Sequence, residues 1–92
     1  MPVFTAKEKD IIAERGKRYG PVRRNNSAIA LAWNGYLTNL GYDKPDLSDI
    51  DVYLLMSLAK HIRLANDPFH TDSYDDIHIY LKFAEAATKG EL

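Results

Sequence analysis

Cysteine is absent from the 92-residue sequence, so the chain forms neither a disulfide nor a thiolate zinc site. No apolar run approaches the roughly 20 residues that a membrane-spanning helix requires. The first residues, MPVFTAKEKD, become charged too early for a secretory leader. Glycine-rich phosphate loops and the HExxH zinc motif are also missing. These absences predict a cytoplasmic protein with no membrane partner. The length of 92 residues predicts a single domain over residues 1–92.

The sequence also lacks an excess of either positive or negative charge. The chain has 12 basic and 13 acidic residues and a formal net charge of −1. Nucleic-acid binding proteins normally carry a strong basic excess, so a nucleic-acid partner is not expected. Any electrostatic function must therefore come from a local cluster.

Four segments have helical patterning, and none reads as a strand. The first follows a capping box at Thr5 and Glu8, the second begins near Asn26 or Ser27, and the third opens with Ser48. The predicted helices cover residues 6–19, 27–40, 48–66 and 72–89. The sequence thus predicts an all-α, compact four-helix domain.

The third predicted helix is apolar on most of its surface. Ile50, Leu54, Leu58 and Ile62 form one row at helical spacing, which predicts a central helix in contact with several neighbours. The short segment NDPFHT predicts that helices three and four form an antiparallel hairpin. Whether the apolar faces are covered by the chain itself or by a second copy, as in a homo-oligomer, stays open at this stage.

Five cationic side chains lie in the ten residues from Arg15 to Arg24. Arginine forks suit phosphate oxygens, and a neighbouring tyrosine offers a base a stacking surface. A helix beginning at Asn26 would direct free backbone amides toward an anion. The candidate ligand-binding residues here are Arg15, Arg18, Tyr19 and Asn26. The alternative is a solvated basic surface that balances acidic residues elsewhere.

A second polar group combines Lys60 and Arg63, which are three residues apart on the third helix, with Asp72 and Asp76 at the start of the fourth. Lys60 and Arg63 are candidate phosphate ligands, and the two aspartates are candidate ligands of Mg²⁺ or Mn²⁺. The competing interpretations are structural. Asp72 or Ser73 would cap the fourth helix, and the four charges would form an ion-pair network between the two helices.

The order of these residues resembles that of an uncharacterised family of small phage and prophage proteins. The matching positions extend over nearly the whole chain: Arg15 or Arg18, Tyr19-Gly20, Asn26, Trp33, Asp51-Val52, Met56, Lys60, Arg63, His70, Asp72-Ser73 and Asp76-Ile77. The resemblance implies an all-α fold and a phage context, but no reaction. A more distant similarity to the all-α nucleoside-triphosphate pyrophosphatases lacks their ExxE and ExxD metal motifs.

The favoured interpretation is a small, non-enzymatic phage protein that binds a host factor or a nucleotide, as an inhibitor or by sequestration. It would act through the basic segment, which is expected to be a loop, and through the Lys60/Arg63 face, without a required cofactor. One alternative is a Mg²⁺-dependent nucleotide phosphohydrolase using Asp51, Asp72 and Asp76. Another is a purely structural or protein-interaction module.

Overall fold

The computed structural model describes residues 3–91. It contains four α-helices, α1 (Ala6–Tyr19), α2 (Val22–Asn39), α3 (Asp49–Asn66) and α4 (Thr71–Thr88), and no strand within that range. Helices α3 and α4 are joined by four residues and pack closely along their length. The prediction of an all-α four-helix domain is confirmed. The expected domain of residues 1–92 also includes Met1, Pro2 and Leu92, which lie outside the described residues.

Local signals in the sequence define most helix ends. The Glu8 amide donates to Thr5 Oγ1 at 3.1 Å and the Thr5 amide donates to Glu8 Oε1 at 2.8 Å, which is the predicted capping box. The Ser48 amide likewise donates to Asp51 Oδ2 at 2.8 Å where α3 begins. Gly41 follows the C-cap of α2 with a φ of 97°, a conformation that side chains with a Cβ rarely adopt.

The start of α2 differs from the prediction. The helix begins at Val22 with Pro21 as its N-cap residue, four to five residues before the expected start at Asn26 or Ser27. Proline is tolerated at the beginning of a helix because the amide that it lacks would have no intrahelical partner there. The basic segment is consequently not a loop. Its cations lie in the last two turns of α1 and the first turn of α2, which are separated only by Gly20 and Pro21.

The apolar core is built around α4. Its buried cluster consists of Tyr53, Ile79, Phe83 and Ala84, and half-buried side chains from α1 and α2 pack against it. Phe4 packs on Phe83 with the ring centroids 5.2 Å apart, which attaches the N-terminal segment to this core. Helix α1 thus lies against α4, although the two are distant in the sequence.

Three of the four residues in the apolar row of α3 do not face the core. Leu54, Leu58 and Ile62 are exposed, whereas the face that packs into the protein carries Val52, Tyr53 and Ser57. Because α3 is apolar on most sides, its periodicity alone does not decide which side meets α4. Ser57 donates from Oγ to the Leu54 carbonyl at 2.7 Å, so its hydroxyl is satisfied within the buried face. Within residues 3–91, no helix is both long enough and apolar enough to cross a membrane.

Candidate functional site

A cleft of about 660 Å³ opens where the end of α1 and the start of α2 face α3 and α4. Its apolar walls include Ile11, Ile29, Met56, Ile79 and Phe83. Its polar side chains come from all four helices: Glu14, Arg15 and Arg18 on α1, Asn25 and Asn26 on α2, Lys60 on α3 and Asp76 on α4. Both the volume and the mixture of apolar walls with a few converging polar groups are typical of small-molecule sites.

Asp76 occupies the floor of this cleft. Its side chain is 3% exposed and contacts two cations, with Lys60 Nζ 3.0 Å from Oδ2 and Arg15 Nη1 2.8 Å from Oδ1. A buried carboxylate is tolerated only when it is paired, and here helices α1 and α3 each supply a partner. The three charges therefore connect three helices at one point.

The two cations differ in their access to solvent. The Lys60 side chain is 13% exposed, whereas that of Arg15 is 42% exposed and reaches the cleft surface. Burial by itself would lower the pKa of Arg15, but its contact with the negative charge of Asp76 outweighs this, and the pKa is raised. Arg15 therefore stays charged, and part of its side chain remains accessible to solvent.

Asn26 is the least satisfied polar side chain of the cleft. It is 4% exposed, and its Oδ1 accepts from Asn25 Nδ2 at 3.4 Å. Its Nδ2 is buried and has no hydrogen-bond partner among the described residues. Buried polar atoms are nearly always paired, so this unpaired donor in the wall of the cleft is an exception.

Two tyrosines complete the polar rim. Tyr19 is exposed at the end of α1, and Tyr80 is half-buried on α4. Burial raises the pKa of Tyr80, and the negative charge of Asp76 raises it further. The Tyr80 phenol is therefore neutral near pH 7, and both tyrosines offer a ring for stacking and a hydroxyl for hydrogen bonding.

The structure brings together five of the six residues proposed from the sequence as ligand contacts. Those lining the cleft are Arg15, Arg18, Tyr19, Asn26 and Lys60. Arg63 lies outside the cleft and is exposed. Asn26 lies in the second turn of α2 and not at the start of the helix, as the sequence had suggested. It therefore contributes its side-chain amide to the cleft, and not the free backbone amides of a helix N-terminus.

The two candidate metal ligands are separated. Asp76 is buried between cations, while Asp72 is exposed and does not line the cleft. Within residues 3–91 no three carboxylate or imidazole side chains are grouped so that they could hold a metal ion. The expected cap is also different: His70 is the N-cap residue of α4, and its Nδ1 lies 2.7 Å from Ser73 Oγ.

Sequence reasoning did not propose Tyr80, Met56 or Phe83 as part of the site. All three line the cleft, but each follows the apolar pattern of its own helix and reads as core. The pairing of Arg15 with Asp76 was also missed, because no local spacing links residues that are 61 positions apart in the sequence.

Comparison with known proteins places this helical domain in a family. The family described as "Domain of unknown function (DUF6378)" matches residues 3–88, and the chain belongs to it. This agrees with the resemblance to an uncharacterised phage family. The similarity to the all-α pyrophosphatases stays a prediction.

Two phage proteins are similar to the chain. The "Gene 55 protein" of Mycobacterium phage D29 is 41% identical over 70 residues, which cover 76% of this chain and 42% of that protein. The "Gene 55 protein" of Mycobacterium phage L5 is 29% identical over 80 residues, which cover 87% of this chain and 48% of that protein. The chain therefore spans less than half the length of these two relatives. No solved structure matches it.

Proposed function

We propose that this phage-type protein binds a small phosphorylated ligand, of the nucleotide class, in the cleft between its four helices and does not transform it. The observation that carries the proposal is the combination of a partly exposed Arg15 with the unpaired buried Nδ2 of Asn26 in one cleft of about 660 Å³. A nucleotide supplies an anion for the first group and a hydrogen-bond acceptor for the second.

The charges at the cleft favour an anionic ligand. Three cations, Arg15, Arg18 and Lys60, face two carboxylates, Glu14 and Asp76, in its lining. Arg18 also pairs with Glu14 at 3.2 Å, but both side chains are more than 60% exposed, and such a pair is weak in water. Arg18 is thus able to exchange Glu14 for a phosphate group at little cost.

The apolar part of the cleft favours an organic group over free phosphate. Ile11, Ile29, Met56 and Phe83 form walls with no charge, and Asn26 lies beside them. A base or nucleoside placed against these side chains would leave its phosphates near Arg15 at the rim. A concave cleft of this volume also suits a small molecule better than the broad surface of a host protein.

Hydrolysis is not part of the proposal. Both oxygens of Asp76 already contact cations, and Asp72 lies outside the cleft. Metal-assisted phosphoryl chemistry usually draws on several carboxylates that share one ion. The arrangement of these side chains favours sequestration of the ligand, in the cytoplasm of a phage-infected cell.

The proposal is tested by thermal unfolding with mononucleotides, dinucleotides and cyclic oligonucleotides, each with and without Mg²⁺. A ligand present at one hundred times its dissociation constant should stabilise the protein by about 2.7 kcal/mol. Chromatography of the ligand after incubation shows whether it is recovered intact. Stabilisation by none of the compounds would contradict the proposal, and a converted ligand would revive the hydrolase.

Two matched variants locate the site. Arg15→Gln removes a cleft cation that reaches solvent and should weaken binding at least tenfold, since charged hydrogen bonds contribute about 1.5–3 kcal/mol. Arg63→Gln removes an exposed arginine outside the cleft and should leave binding unchanged. Equal binding by both variants would place the ligand elsewhere on the protein.

A further inference from the structure

An apolar stripe runs along the side of α3 that faces away from the core. Leu55, Leu58, Ile62 and Ala65 follow one another at intervals of three, four and three residues, with Leu54 beside them. All are exposed, and Leu58 and Ile62 are 56% and 68% exposed. An alternating spacing of three and four residues is the pattern by which one helix packs against another along a continuous seam. We refer to these four residues as the α3 seam.

The exposed area of the whole chain is large for its size. The structure exposes 6465 Å². A folded monomer of 10.5 kDa is expected to expose about 5,400 Å². The excess, roughly 1,000 Å², is close to the ~800 Å² that each partner buries in a protein interface of standard size. A single contact surface of ordinary dimensions would therefore bring the chain to a normal exposed area.

We propose that the α3 seam is the interface of a homodimer, in which α3 packs antiparallel against α3 of a second copy. A two-fold axis brings the same surface from each copy together, so one apolar seam suffices for both sides. The four seam positions on each copy then form the centre of the interface, and Leu54 covers its flank.

The direction of pairing follows from the charges at the two ends of α3. Asp51 continues the seam by one step toward the N-terminus, so a parallel pair would place Asp51 against its own copy. An antiparallel pair keeps the two Asp51 side chains apart, and it also opposes the two helix dipoles.

The register follows from the seam itself. When the two helices cross midway between Leu58 and Ile62, each Leu58 faces the other copy's Ile62 and each Leu55 faces the other copy's Ala65. This gives four apolar layers without a polar residue, and a large side chain meets a small one at either end. The arrangement leaves both ligand clefts open, because Lys60 and Met56 lie on the side of α3 that faces the cleft.

The oligomeric state is measured by sedimentation or light scattering of the full chain at micromolar to millimolar concentrations. The wild-type protein should have twice the 10.5 kDa mass of one chain. Leu58→Glu should convert it to the monomer while far-UV circular dichroism stays unchanged. Leu31→Glu, at a leucine 74% exposed on α2, is the matched control and should remain dimeric. A monomeric wild type, or a dimer unaffected by Leu58→Glu, would overturn the proposal.

Mixing two monomeric variants tests the register. In the antiparallel pair, Glu at position 58 of one copy faces Lys at position 62 of the other, so equimolar Leu58→Glu and Ile62→Lys should form a heterodimer. The opposite pair of positions in that heterodimer keeps the wild-type Ile62 and Leu58. If each variant alone is monomeric and the mixture is monomeric as well, the antiparallel register is wrong.

Discussion

Asp76 is the residue on which the polar interior depends. Its carboxylate joins Arg15 of α1 to Lys60 of α3 from a position on α4 that is 3% exposed. A buried carboxylate without a partner would destabilise the protein. Removal of the Asp76 carboxylate would in turn leave Arg15 and Lys60 close together without a negative charge between them. The contact that shapes the cleft is thus also a contact that holds the fold together.

Asp76 and Asp72 are expected to differ in their contribution to stability. Asp76→Ala should lower the free energy of unfolding by about 3 kcal/mol, because it leaves the mostly buried Lys60 without its partner. Asp72→Ala, at the exposed first turn of α4, should cost less than about 1 kcal/mol, the scale of a helix-dipole interaction. Urea unfolding of the two variants provides the comparison. Equal losses would show that the buried ion pairs contribute little.

At the scale of the element, short sequence signals mark the ends of the helices, and some of these signals are easier to recognise than others. The second helix was predicted to end at residue 40, within one residue of its observed end, because glycine after an apolar run is a strong stop signal and Gly41 follows. The start of α2 was misplaced, since the side chains of Asn26 and Ser27 resemble caps while Pro21, the actual N-cap residue, forms no side-chain cap. A cap motif inside a helix is not distinguished by local sequence from one at its start.

Two glycine substitutions test the backbone requirements inside α2 and at its C-terminal end. Gly35 lies inside α2, and a Cβ added there would meet nothing within 4 Å, so Gly35→Ala should stabilise the protein by up to about 1 kcal/mol. Gly41 has a φ of 97°, so Gly41→Ala should destabilise it by roughly 1–2 kcal/mol. Thermal melting of both variants gives the sign of each change. A destabilising Gly35→Ala would imply a contact that α2 makes only in an assembly.

At the scale of the whole molecule, α1 is attached to α4 by contacts between residues far apart in the sequence. Lys82 Nζ lies 2.6 Å from Glu8 Oε1, Lys7 Nζ lies 2.9 Å from Asp75 Oδ2, and Phe4 packs on Phe83. Burial by itself would raise the pKa of Glu8, but hydrogen bonds from Lys82 and from Thr5 outweigh it, and the pKa is lowered.

The lowered pKa of Glu8 predicts how stability depends on pH. A carboxyl group with a folded-state pKa below its unfolded value stabilises the protein above about pH 4.5, and this contribution is lost as the pH falls through the folded-state pKa. Glu8→Gln should therefore lower stability at pH 7 by about 1 kcal/mol and flatten the loss on acidification. Denaturant unfolding between pH 3 and 7 measures both effects.

The exposed pair Glu85–Lys89 provides the control for that experiment. Its atoms are 3.4 Å apart and its side chains are 72% and 57% exposed, so Glu85→Gln should change stability by less than about 0.5 kcal/mol. If Glu8→Gln behaves like Glu85→Gln, the contact with Lys82 does not hold α1 in place.

The sequence by itself determined that the chain is helical and where most of its helices begin and end. It also singled out a set of candidate site residues, of which Arg63 and Asp72 lie outside the cleft. These are properties of spacing, capping and residue type, which act over a few residues. Tertiary structure decided that Lys60 and not Arg63 meets Asp76, that Arg15 joins them, and that α3 turns its Leu58 side outward. Those outcomes depend on which face of each helix the others cover. A helix that is apolar on most sides leaves that choice to the packing of the whole chain.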